Sequence, residues 1–91
     1  MVQPARGTYG GAVLQRLTKE ERAMRAALAT NLRRLREKRG WSQEECAEQA
    51  GLHSTHIQKL EYGAVNVTFR TVARLCAGLG VRAHELVCAR T

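Results

Sequence analysis

The sequence predicts an all-helical fold of five helices, and three observations carry that prediction. Only four of the 91 residues are aromatic, so the core has to be assembled from Leu, Val, Ile, Ala and Met. Apolar residues recur at spacings of three and four along most of the chain, the period of one helical face. Two Ser/Thr-x-x-Glu boxes, Thr18 with Glu21 and Ser42 with Glu45, mark helix starts, and glycines at 40, 51, 63 and 80 follow the periodic stretches as stops. A chain this short is near the lower limit of what one core stabilises unaided, which makes dimerisation an expected source of support.

Residues 1–17 hold the only proline, Pro4, and three glycines, Gly7, Gly10 and Gly11, and read as a flexible arm set apart from a domain over 18–91. Arg6 and Arg16 suit this arm to phosphates or a minor groove, with a plain tail as the alternative. The first helix is expected from about Lys19 to Arg39, because Met24, Leu28, Leu32 and Leu35 form one apolar stripe and Gly40 ends it. Thr30 and Asn31 compete for backbone hydrogen bonds, so a break at 29–31 is open. In the second helix, begun by the Ser42 box, Cys46, Ala47 and Ala50 share one face, and Gly51 supplies the left-handed exit.

The third helix spans about Ser54 to Glu61, with Ile57 and Leu60 inward and Ser54, Thr55, Gln58 and Lys59 on the opposite side. After the loop at 64–67, Thr68 caps a helix over Phe69 to Leu79. Phe69, Val72, Ala73, Cys76 and Leu79 are its expected core face. The last helix covers Val81 to Val87. Val81, Leu86 and Val87 are too apolar to leave wet on so small a domain, and burial against a second copy assigns them to a dimer interface.

The net charge of +7 is uneven: residues 1–41 carry ten basic and three acidic groups, 42–62 one and four, and 63–91 four and one. Excess positive charge of this kind suits nucleic acid, or serves solubility alone. Three cysteines, an odd number without Cys-x-x-Cys or zinc-finger histidine spacing, read as reduced thiols, and no apolar run approaches a membrane span or a signal peptide. A cytoplasmic location follows as the expectation. His53, His56 and His84 lack the carboxylate, cysteine or serine spacing that would complete a triad or a metal shell, so no enzyme, metal or cofactor is expected.

Two short helices joined at Gly51 by a tight turn form a helix-turn-helix pattern over 42–62, a motif whose second helix enters the DNA major groove. Through Ser42-Gln43-Glu44-Glu45, Ala47, Gly51, Ile57, Glu61 and Gly63 the segment resembles the lambda-repressor-like, xenobiotic-response-element family, from about Ala27 to Val87. The sequence departs from that family's pattern at Cys46, where Leu is usual, at Val67, where Pro is usual, and at Arg82–His84, where a polar cap is usual. The added turns of the first helix, before Ala27, belong to this chain.

The resemblance implies a five-helix DNA-binding domain in which Ser54, Thr55, Gln58 and Lys59 read bases and Gln43 and His53 contact phosphate. Lys can donate to guanine and Gln can pair with adenine, so the residue types fit the role. Asn66 joins them as a candidate in the following loop, and Arg39 and Arg70 flank the motif as candidate phosphate contacts. Arg36 and Glu61 match the family's structural ion pair. The expected function is a transcriptional regulator that binds double-stranded DNA as a homodimer on a palindromic operator. Restriction-modification controller proteins are the most similar subgroup, given Asn66-Val67-Thr68 and a chain little longer than the domain. The alternative is an antitoxin whose N-terminal extension grips a protein partner.

Overall fold

The computed structural model describes residues 17–63 and 66–89, so the arm at 1–16, with Arg6 and Arg16, lies outside the described residues. Among the described residues five helices follow one another: α1 Lys19–Lys38, α2 Gln43–Ala50, α3 Ser54–Tyr62, α4 Phe69–Leu79 and α5 Ala83–Val87. Both boxes close reciprocally. The Thr18 hydroxyl accepts from the Glu21 amide at 3.0 Å while the Thr18 amide donates to the Glu21 carboxylate at 2.7 Å, and Ser42 and Glu45 repeat the arrangement at 3.0 and 2.7 Å. Each satisfies orphan donors of a first turn. Glu20 and Glu21 at the start of α1, and Arg36 and Lys38 at its end, also complement the helix dipole.

The departures from the family pattern cost no helix. Thr68 caps α4 by accepting from the Thr71 amide at 3.1 Å. At α5 the Arg82 amide donates to the Glu85 carboxylate at 2.9 Å, the half of a capping box that the acid supplies, while the Glu85 amide bonds the Arg82 carbonyl at 3.0 Å. Cys46 is buried and fills its place as a small apolar side chain.

Helix α2 packs on α3 and α4, α1 on α3 and α5, and α4 on α5. The core lies where these contacts meet, built from Leu28, Leu32 and Leu35 of α1, Cys46, Ala47 and Ala50 of α2, Ile57 and Leu60 of α3, Leu75 and Leu79 of α4, and Leu86. At Gly78 the backbones of α4 and α2 approach so closely that a Cβ would lie 2.8 Å from the carbonyl carbon and oxygen of Gln49. No other residue type fits there without moving a helix. None of the described helices is long and apolar enough to cross a membrane.

Three expectations are corrected. The core face of α4 is Thr71, Leu75 and Leu79, with Val72 and Cys76 only partly buried, while Phe69 is 94% exposed and Ala73 is also exposed. The expected stripe was off by about a quarter turn, because Gly78 draws a different side of the helix onto α2. Met24 is half exposed, since the first turns of α1 extend past the helices that cover Leu28 and Leu32. Leu86 is fully buried within the single chain, and that burial removes it from the dimer interface assigned to Val81, Leu86 and Val87; Val81 and Val87 remain partly buried against the same core.

The possible break in α1 is not taken. Asn31 turns its side chain away from the α1 backbone and donates to the carbonyls of Leu86 at 2.8 Å and Cys88 at 2.9 Å, so it holds the end of α5 instead of interrupting its own helix.

Candidate nucleic-acid interface

On α3, Ile57 and Leu60 are buried, and helical spacing then turns Thr55, Gln58 and Lys59 outward as exposed side chains, with Ser54 half-buried at the first position. His53 precedes the helix, exposed, and makes no side-chain capping bond. The His56 amide bonds the His53 carbonyl at 3.0 Å, and no side chain caps the first turn of α3, where Ser54 and Thr55 begin the exposed face.

The turn before α3 is held from two directions. Gly51 adopts φ of 69°, the left-handed conformation that favours glycine, and the Leu52 amide returns to the Ala47 carbonyl at 2.9 Å. From α4, Arg74 donates to the Gly51 carbonyl at 3.1 Å. The angle between α2 and α3 is therefore tied to the helix behind them.

At the other end of α3 the structure brings Arg36, Gln43 and Glu61 together. Arg36 donates through Nε to Oε2 of Glu61 at 2.5 Å and through Nη2 to Oε1 at 3.0 Å, a bidentate fork, and through Nη1 to the Trp41 carbonyl at 2.8 Å. The Glu61 side chain is only 1% accessible and that of Arg36 12%. Gln43 donates to Oε1 of Glu61 at 3.1 Å, and Arg33, largely exposed, lies 3.5 Å from the same oxygen. Burial pushes the Glu61 carboxyl up, but the hydrogen bonds from Arg36 and Gln43 and the charges of Arg36 and Arg33 outweigh it and hold it below the usual carboxylate range. The hydrogen bond to Glu61 correspondingly raises Arg36 against the opposing effect of burial. Burial also pushes up the neighbouring Cys46 thiol, and Glu61 adds to that, which makes it a poor nucleophile.

The remaining candidates divide. Arg70 and Asn66 are exposed, beside the loop that follows α3. Gln43 is half-buried with its amide committed to Glu61, so its side chain braces α3 against the start of α2. Arg39 is corrected: its guanidinium donates to the Leu79 carbonyl at 2.5 Å and the Leu35 carbonyl at 2.9 Å, and lies 5.8 Å from the Trp41 ring centroid. It closes the C-terminal end of α4, where unpaired carbonyls attract a cation, instead of flanking the motif as a phosphate ligand.

The structural roles of three residues, Arg74, Gly78 and Asn31, escaped the sequence reading. Arg74 and Gly78 left no local signal, because their roles depend on where α2 lies. Asn31 did leave one: it stands three residues after Leu28 and one before Leu32, a polar side chain at core spacing, which calls for buried carbonyls to bond.

Residues 27–87 match the family described as a helix-turn-helix domain. Among curated proteins, the chain is 40% identical over 68 residues to a hypothetical transcription factor of Neisseria meningitidis serogroup B, a stretch covering 75% of this chain and 64% of that protein. The crystal structure of hypothetical transcription factor NHTF from Neisseria superposes with a TM-score of 0.71 at 38% identity, over 81% of this chain and 84% of that one. The restriction-modification controller protein C.AhdI from Aeromonas hydrophila superposes with a TM-score of 0.65 at 31% identity, over 68% and 94% of the two chains. With its two capped helices, its left-handed turn at Gly51 and its outward polar face on α3, the chain belongs to the helix-turn-helix domain family.

Proposed function

We propose that the protein is a sequence-specific regulator of transcription that binds double-stranded DNA as a homodimer on an inverted repeat, in the manner of a restriction-modification controller. The observation that carries this reading is the α3 face: Thr55 and Lys59 are exposed opposite the fully buried Ile57, with Gln58 exposed beside them, on a helix whose other end is anchored by the Arg36–Glu61 pair. A rigidly held helix presenting short hydroxyls, an amide and a cation suits the major groove, where Gln and Lys discriminate adenine and guanine. Ser54 lets the helix approach closely, His53 and the start of α3 suit phosphate, and Asn66 and Arg70 extend that contact past the motif.

Likeness to C.AhdI over nearly all of that protein supports the controller assignment. The family match begins at residue 27, after the first two turns of α1. Selection of bound fragments from random duplex DNA tests the proposal and is expected to return an inverted repeat with half-sites about 34–36 Å apart. On that site Lys59→Ala should cost about 1–3 kcal/mol and relax preference at one symmetric pair of positions. Arg70→Ala should weaken cognate and random duplexes alike and flatten the salt dependence. Recovery of no common sequence would overturn the reading.

A further inference from the structure

We infer that α1 is the seam on which a second copy of this chain docks, in an antiparallel two-fold arrangement centred near Ala27. This rests on the dimeric reading above but moves the contact away from α5, whose Leu86 is already buried within one chain. Beside α1 runs a groove of about 510 Å³, lined by Ala23, Ala26, Ala27, Thr30, Asn31 and Arg34 together with Ala89. Its small side chains allow two helix backbones to come close. Within it the Nε of Arg34 is buried and has no hydrogen-bond partner, a donor that is costly to leave unpaired.

Charge identifies the occupant. Glu20, Ala27 and Arg34 are spaced by seven and fall within about 20° of one line, while Ala23 and Thr30 continue that face and Lys19 and Glu37 border its far edge. An antiparallel two-fold places residues of the same flank opposite each other, with sequence numbers that sum to about twice the centre. Glu20 then meets Arg34 of the partner, and Lys19 meets Glu37 of the partner, each contact made twice. The face is therefore complementary to itself, with each Glu20 carboxylate set against the Arg34 guanidinium of the partner.

Sedimentation equilibrium of the full chain tests the seam by charge exchange, with circular dichroism to confirm folding. Glu20→Arg alone and Arg34→Glu alone should each raise the dimer dissociation constant about tenfold or more, because two attractions become repulsions. The double exchange should restore dimerisation toward the wild-type value. If Arg34→Glu does not fold, Lys19→Glu, Glu37→Lys and their combination give the same three-way comparison on the other flank. Single exchanges that dimerise as the wild type does, a double exchange no better than the singles, or a wild-type chain that remains monomeric would each overturn the seam. Binding to a duplex holding one half-site separates the two proposals: the exchanges leave it unchanged, and its absence in the wild type would strike the DNA-binding reading alone.

Discussion

Removing Arg36 should expose how much the domain depends on one buried fork. Glu61 is 1% accessible and receives both Arg36 bonds, one from Gln43, and a weaker approach from Arg33 at 3.5 Å. In Arg36→Ala that carboxylate stays buried without its main partner, and breaking a buried pair from one side costs about 3–5 kcal/mol. A domain of this size holds roughly 5–10 kcal/mol in total, and a loss of about 3 kcal/mol or more lowers Tm by about 12 °C or more. Arg33→Ala removes only a largely exposed partner and should cost less than about 1 kcal/mol.

The pH dependence gives the sharper test. Glu61 is held below its ordinary value when folded, so its contribution is complete above the unfolded carboxylate pKa of about 4.3 and is lost as pH falls through the folded value. In Arg36→Ala the main group holding the carboxyl down is gone, and the buried acid protonates at higher pH than in the wild type. The deficit of the mutant should therefore be widest at neutral pH and shrink toward about pH 3. Urea unfolding at several pH values measures it. A mutant within about 1 kcal/mol of wild type at neutral pH, or a deficit that does not change with pH, would refute the reasoning.

Gly78→Ala should destabilise by about 1–3 kcal/mol, because its methyl group would overlap the Gln49 backbone at 2.8 Å and push α2 away from α4; denaturant melts and binding to the selected duplex should both decline. Asn31→Leu keeps the helix but strands the carbonyls of Leu86 and Cys88. A loss of about 1–3 kcal/mol is expected, together with faster amide exchange at the Cys88 amide, which bonds the His84 carbonyl in the last turn of α5. Unchanged exchange there would show that Asn31 does not hold the end of α5.

The sequence by itself determined what local chemistry controls. Thr18 with Glu21 and Ser42 with Glu45 bond across three residues, so the starts of α1 and α2 needed no knowledge of the rest of the chain. Gly51 could be read as the helix exit because its φ of 69° disfavours other residues. Once Ile57 and Leu60 were placed inward, the outward set on α3 followed from the helical period alone. The ion pair between Arg36 and Glu61, 25 residues apart, was legible only through family resemblance, since no local rule links such distant charges.

Tertiary structure decided the rest, wherever two local readings were nearly equal. Helix α4 carries apolar residues around more than half its circumference, and periodicity cannot choose among them; contact with α2 at Gly78 selects Thr71, Leu75 and Leu79 and leaves Phe69 in water. Leu86 was as suited to a partner as to its own core, and the packing of α5 on α1, fastened by Asn31, gives it to the core. Arg39 has the charge for a phosphate, yet α1 delivers it to the open carbonyl end of α4, 40 residues away. Charge and amphipathicity state what a side chain can bond, and the three-dimensional path of the backbone selects which of those bonds is within reach.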